Sequence, residues 1–280
     1  MRILVTNDDG IDSIGLHVLA RAMRSFGEVV IAAPDQEYSG AGAAIGALHI
    51  IQPEVQRRHI EGIDTAWAVT GPPALCVFFA RLGVYGPPFD LVVSGINPGA
   101  NVGRAVYHSG TVGAAITARN GGISGIAISQ AVTGFGVEGQ GWDDALKGQM
   151  WDSAATVAQS VVEGWIADRP KEAVVINVNV PNCAVSEMKG WRRTDIGHVV
   201  TRAMAGAELE PKEGHDGAFY VRMTYGDTIQ MPGETDGGAV ENGEVAITYI
   251  GRFNDVPSQG SAAVNDALTT LVGQANTLHS

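Results

Sequence analysis

Cationic side chains are scarce in this 280-residue sequence: 18 Lys and Arg stand against 30 Asp and Glu, a formal net charge of −12. That balance argues against a general affinity for duplex nucleic acid or for an anionic membrane surface. It leaves a phosphate substrate open, because a bound metal cation inverts the local field. Cysteine is nearly absent, and Cys76 and Cys183 lie far apart without metal-ligand spacing. They read as core thiols in a reducing compartment, so a cytoplasmic protein is expected. Long apolar runs are also missing and the chain opens directly on a strand, which predicts neither a signal peptide nor a membrane span. No internal repeat is found. With 45% hydrophobic and 17% charged residues the chain is of ordinary globular composition, and its length allows one large domain or two small ones.

What is present is concentrated first in MRILVTNDDGIDSIGL, residues 1–16. Arg2 to Thr6 is a short apolar β-run of the kind covered on both faces. It runs straight into Asn7-Asp8-Asp9-Gly10, after which a helical pattern begins. Two adjacent carboxylates at the end of a strand put negative charge at the carboxyl edge of a sheet, where open α/β folds bind ligands. Side by side they repel each other, and a divalent cation is one way to stabilise them. A plain turn that caps the next helix accounts for the same residues equally well.

Leu16, Leu19, Ala20 and Met23 recur at helical spacing up to Gly27, and Val29 to Ala33 forms the next strand, giving a βαβ unit with both strands ending on one edge. The loop from Asp35 to Gly40 and the small-residue run to Gly46 let backbone approach a ligand closely, or serve only as a flexible connection. Leu48–Gln56 and Thr65–Val69 suggest a hairpin off the main sheet. Gly71-Pro72-Pro73 opens a helix. Phe89–Val93 is a buried-type strand that ends in the Ser94–Gly103 loop. Ser109-Gly110-Thr111 starts a helix, offering hydroxyls, free amides and a positive dipole end to an anion, or simple capping. Ile126–Ser129, Trp151–Trp165 and Ala173–Val180 read as strand, helix and strand. Beyond Pro181 the pattern turns irregular, with strand pieces expected near Val199, Phe219–Met223 and Val245–Tyr249, arranged as hairpins. Val264, Leu268, Leu271 and Val272 form an amphipathic stripe on a C-terminal helix. The resulting division is an α/β core over 1–182 and an extension over 183–280.

Asp8 and Asp9, Ser39 and the Asn97 loop each follow a strand on the same inferred edge. Their oxygens suit Mg²⁺, Mn²⁺ or Ca²⁺ and not zinc. A cation beside an anion cradle reads as phosphoester hydrolysis. At this point the sequence resembles the SurE (survival protein E) family of metal-dependent nucleotidases and phosphatases. The resemblance rests on ILVTNDDGIDSIGL, the Ala33–Gly40 loop, VVSGINPGANVG, SGTVGAA, INVNVP and TDGGAVENGEVAIT, and covers most of the chain. It implies a Rossmann-like three-layer α/β fold with a mostly parallel sheet and an extended C-terminal hairpin and helix arm, exchanged in a homodimer or homotetramer. It implies one divalent ion, Mg²⁺ or Mn²⁺ with Ca²⁺ as a crystal substitute, held by Asp8, Asp9, Ser39 and Asn97. Ser109, Gly110 and Thr111 map onto its phosphate-side turn, with Asn7, Gly40 and Asn101 as further substrate contacts.

The implied reaction is hydrolysis of a nucleoside monophosphate, or another small phosphomonoester, by water activated at the metal. Asp8 or Asp9 is the candidate base and His108 the candidate acid. The chain departs from the family's usual pattern at Pro72 and Leu75, where a hydroxyl and a carboxylate are common, in Ala43–Gly46, which lacks hydroxyls, and at His108, where Tyr is common. These changes bear on substrate preference. The departures at Pro72 and Leu75 also leave room for an alternative, a metal or nucleotide sensor that kept the fold without turnover. An aspartyl-phosphate mechanism is disfavoured, because Gly10 stands where its second acid belongs.

Overall fold

The computed structural model describes residues 1–133, 146–198, 202–253 and 262–273. The strand pieces expected near Val199 begin outside the described residues. The first apolar run becomes β1 (Arg2–Thr6), followed by α1 (Ile14–Met23) and β2 (Glu28–Pro34), with β1 and β2 parallel as the βαβ pattern requires. The chain continues through β3 (Val55–Ile60), β4 (Ile63–Val69), α2 (Pro73–Arg81), β5 (Leu91–Pro98), α3 (Gly110–Asn120), β6 (Ser124–Gln130), α4 (Trp151–Ala167) and β7 (Val175–Val180). After these come β8 (Trp191–Arg193), β9 (Arg202–Pro211), β10 (Phe219–Thr228), α5 (Asp236–Glu241), β11 (Val245–Tyr249) and α6 (Ala262–Val272).

Nine strands form one sheet in the order β3-β4-β2-β1-β5-β6-β7-β11-β8. The six from β4 to β7 run parallel, while β3 pairs antiparallel with β4, and β11 pairs antiparallel with β7 and parallel with β8. The sheet order places β2 on one side of β1 and β5 on the other, so the winding reverses beside β1. In open α/β sheets the crevice outside the carboxyl ends at such a reversal is the ligand site.

The alternation of the buried strands decides what covers each face. Ile3, Val5, Ile31 and Val93 pack with Leu16, Leu19 and Met23 of α1 and with Ala154, Ala158 and Val162 of α4. On the other face Leu4, Val30 and Val92 meet Leu75 and Val77 of α2 and Ala114 and Ala118 of α3. Two layers of helices around one sheet make the three-layer α/β fold that the sequence predicts.

Two local expectations are corrected. The hairpin read over Leu48–Gln56 and Thr65–Val69 is not off the main sheet: β4 pairs parallel with β2 and carries β3 as the edge strand, and the strand begins only at Val55. Val245–Tyr249 likewise does not form a separate hairpin but inserts as β11 between β7 and β8. Between them, β9 and β10 form a two-stranded antiparallel sheet of their own, as the Phe219–Met223 alternation suggests. Residues through Ile250 make one compact unit, and the segment from Gly251 is a second, in which α6 exposes Val264, Leu268, Leu271 and Val272. Both cysteines are free, Cys76 buried and Cys183 partly so. Among the described residues no helix is long and apolar enough to cross a membrane.

Candidate active site

The winding reversal brings the end of β1 next to the end of β5, and with them the Asn7–Gly10 turn and Asn97. Asp8 is 3% exposed although it carries a carboxylate, and Asn7 is fully buried beside it. The Asn7 side-chain amide donates to the Gly10 carbonyl at 3.1 Å, which closes the turn. The Thr111 hydroxyl donates to Asp8 Oδ1 and also lies 3.5 Å from Asn97 Oδ1. One residue of α3 therefore joins the two strand ends.

Gly110 explains how α3 comes so close. A Cβ there would lie 2.8 Å from both Cβ and Oδ2 of Asp8, so only glycine admits the carboxylate. Ser109, buried in front of it, accepts from the Val112 amide at 3.1 Å as the N-cap of α3. The loop after β2 closes the site from the other side. The Tyr38 amide donates to the Asp8 carbonyl, and the Gly42 amide donates to the His108 carbonyl at 3.0 Å. Gly113 makes this second approach possible, since a Cβ on it would lie 2.2 Å from the Gly42 carbonyl oxygen.

The electrostatics follow from this geometry. Burial raises the Asp8 carboxyl above the ordinary range, opposed by hydrogen bonds from the Thr111 hydroxyl and from the Asp8, Thr111 and Gly110 amides. Burial also pushes Asp9 up to about 8, reinforced by the negative charges of Asp8 and Glu37. Asp9 Oδ2 and Asn7 Oδ1 are buried with no hydrogen-bond partner. Unpartnered buried oxygens beside two destabilised carboxylates form a donor set that a hard divalent cation satisfies. Among the described residues no group of three or more His, Cys, Asp or Glu is placed to hold a metal ion, so the donors here include amide and hydroxyl oxygens beside the two carboxylates.

The sequence-predicted residues thus divide. Asp8, Asp9, Asn97, Gly110 and Thr111 are brought together with Asn7. Ser39 sits on the closing loop, exposed, its hydroxyl donating to Glu37 Oε1 at 2.8 Å. Gly40 is exposed with open space around its Cα. His108 is exposed immediately before the turn. Asn101 is buried in a scaffold: its backbone amide donates to Asn179 Oδ1 at 2.7 Å and its side chain to Ser129 at 2.8 Å. The Asn101 carbonyl accepts from both Asn177 and Asn179.

Asn177, Asn179 and Asp236 escaped the sequence reading as parts of this assembly. INVNV did carry a signal, since two amides alternating in a fully buried strand need partners. Leu75, one of the departures, is fully buried in the cluster that also holds Val69 and Val92. It fills core volume where a carboxylate is common in the family.

A three-layer α/β fold with a cluster of side-chain oxygens at the winding reversal, beside the N-terminus of α3, defines the class of this protein. The family model for survival protein SurE matches residues 3–203. A 5'-nucleotidase SurE from Haemophilus influenzae is 33% identical over 253 residues, 89% of this chain and 91% of that protein. A 5'-nucleotidase SurE from Dehalococcoides mccartyi is 36% identical over 256 residues, 89% of this chain and 88% of that one. A 5'/3'-nucleotidase SurE from Erwinia tasmaniensis is 32% identical over 250 residues, 89% of this chain and 90% of that protein. The crystal structure of the SurE protein from Aquifex aeolicus superposes with a TM-score of 0.70 at 29% identity, covering 97% of this chain and 99% of that one. The chain belongs to the SurE family.

Proposed function

We propose that this protein is a divalent-metal-dependent phosphomonoesterase that hydrolyses nucleoside monophosphates to nucleoside and inorganic phosphate. The observation that carries the reading is the adjacent Asp8–Asp9 pair, Asp8 buried and Asp9 Oδ2 buried without a partner, with Asp8 set against the N-terminus of α3. The names of the relatives, 5'-nucleotidase and 5'/3'-nucleotidase, support the same chemistry.

Asp8, Asp9, Asn97 and Ser39 would hold the ion, Mg²⁺ or Mn²⁺, with Ca²⁺ able to substitute on the same oxygens. When bound, such an ion polarises a phosphoryl oxygen and lowers the pKa of water. Thr111 and Gly110 fix the Asp8 carboxylate, so its direction is set before any ligand arrives. The first turn of α3, with Ser109, Gly110 and Thr111, offers its positive dipole end to the phosphoryl group, with Asn7, Gly40 and Asn101 proposed as the surrounding contacts. Asp8 or Asp9 is proposed to take the proton of the attacking water. As the bond from phosphorus to the ribose oxygen breaks, His108 is proposed to donate its proton to the leaving oxygen.

The names of the relatives favour this reading over a sensor without turnover, whose support in the sequence is the departures at Pro72 and Leu75. Two free thiols support a cytoplasmic location. Residues 183–280 are proposed to serve assembly as a homodimer or homotetramer. In support, the β9–β10 hairpin exposes Leu209, Phe219, Tyr220 and Val221, and α6 exposes its own apolar stripe. The test is a panel of 5'- and 3'-nucleoside monophosphates, p-nitrophenyl phosphate and polyphosphate, assayed for phosphate release with Mg²⁺, with Mn²⁺ and after chelation. Metal-dependent release strongest on a nucleoside monophosphate is expected. Turnover that survives chelation, or none on any ester, would overturn the proposal.

A further inference from the structure

Asp236 is fully buried, yet it lies far from the two carboxylates in sequence and no step above uses it. Its surroundings account for every oxygen contact. Oδ2 accepts from the Gly103 amide at 2.9 Å, across 133 residues of chain. Oδ1 accepts from the Gly197 and Gly237 amides, each at 2.9 Å. Three backbone amides from three separate places in the chain thus converge on this one carboxyl group.

The two oxygens face different parts of the molecule. Gly103 opens the short 3₁₀ turn Gly103–Tyr107, which runs directly into His108, Ser109 and α3. Upstream, the same loop begins at Asn97 and is held at Asn101 by Asn177 and Asn179. Gly197 lies between β8 and β9 in the chain. There the Asp236 amide donates to the Asp195 carbonyl at 3.1 Å, and Asp195 and Thr235 form an isolated parallel bridge. Residues 195–197, between β8 and β9, and Thr235–Asp236, after β10, are therefore held together, and one carboxylate ties them to the loop carrying the site.

We infer that Asp236 is a positioning residue that couples the Asp195–Gly197 segment, which precedes β9, to the Asn97–Thr111 segment of the active site. Resting on the nucleotidase reading for its kinetic consequence, the coupling itself is structural and is measured without turnover. Loss of one oxygen's acceptor capacity frees Gly103 or Gly197. The 3₁₀ turn then loosens, and Asn97, His108 and Thr111 lose their fixed spacing while the sheet keeps its core.

The experiment is hydrogen–deuterium exchange on Asp236→Asn against the wild type, with Asp216→Asn on the exposed hairpin turn as a control. At least tenfold faster exchange is expected in two places together, residues 99–109 and 194–198, with β1 and β6 unchanged. Mn²⁺ affinity, read by calorimetry, should weaken roughly 10–100-fold, the usual cost of losing a group that orients a ligand. The kcat for a nucleoside monophosphate should fall by a similar factor and KM should change less. Unchanged exchange in residues 99–109, or faster exchange throughout the sheet, would overturn the inference. If the wild type hydrolyses no phosphoester, the nucleotidase reading fails while the exchange result still decides the coupling. If the variant does not fold, the Gly103 and Gly197 amides of the wild type are compared by nuclear magnetic resonance. A shared opening predicts exchange protection equal within threefold and equal denaturant dependence, and a difference of tenfold or more refutes it.

Discussion

Replacing Asp9 with Asn should stabilise the metal-free protein, and by an amount that grows with pH. In the folded chain the Asp9 carboxyl is pushed from 3.8 to about 8, first by burial and then by the charges of Asp8 and Glu37. A carboxyl raised on folding binds more protons in the native state than in the unfolded one. Between those two values, stability therefore falls as pH rises. At about 1.4 kcal/mol per pH unit, the raised carboxyl destabilises the fold by on the order of 5 kcal/mol at pH 8 and roughly 2 kcal/mol at pH 5. Asn carries no charge at either pH, so the advantage of the variant should increase by roughly 3 kcal/mol between them. At about 2–4 °C per kcal/mol, the gain in Tm should be roughly 10 °C larger at pH 8 than at pH 5. Thermal unfolding in chelator at the two pH values measures this. Added Mn²⁺ should then raise the wild-type Tm and leave the variant nearly unmoved, since binding to the native state stabilises by mass action. A variant no more stable than wild type at pH 8, or an advantage independent of pH, refutes the buried-carboxylate account.

Three further outcomes follow from particular contacts. Gly110→Ala places a methyl 2.8 Å from Asp8 Oδ2 and should weaken Mn²⁺ binding roughly 10–100-fold by calorimetry with the circular dichroism spectrum retained. His108→Tyr should reduce turnover of a nucleoside monophosphate by ~10²–10⁴-fold and barely affect p-nitrophenyl phosphate, whose leaving group needs no proton; equal losses on both esters would remove the acid role. Deleting residues 257–280 removes the exposed Val264, Leu268 and Leu271 stripe and should lower the oligomeric state by light scattering or leave an insoluble chain.

The parallel half of the fold was legible because its signals are local. Ile3 to Val5 and Val29 to Ala33 are unbroken apolar runs, and a helix must lie between two such strands if they are parallel. The two misplaced hairpins failed for a shared reason. β4 and β11 border the parallel core, and alternation in sequence does not say which neighbour a strand will pair with. In the site, the adjacency of Asp8 and Asp9 is written in the sequence. The meeting of Asp8 with Thr111 depends instead on sheet order and on the missing Cβ of Gly110. Asp236 was least legible of all, since its partners Gly103 and Gly197 offer only backbone amides, which any residue but proline could supply.

The central claim is that one cation held by Asp8, Asp9, Ser39 and Asn97 makes this protein a phosphomonoesterase. Titrating chelated protein with Mn²⁺, while bound ion and phosphate release from a 5'-nucleoside monophosphate are followed in the same samples, tests it most directly. The account predicts one ion per chain, with release rising in step with occupancy and both lost in Asp8→Asn. Release that is already complete in chelator, or occupancy of the site with no release on any nucleoside monophosphate, would contradict it.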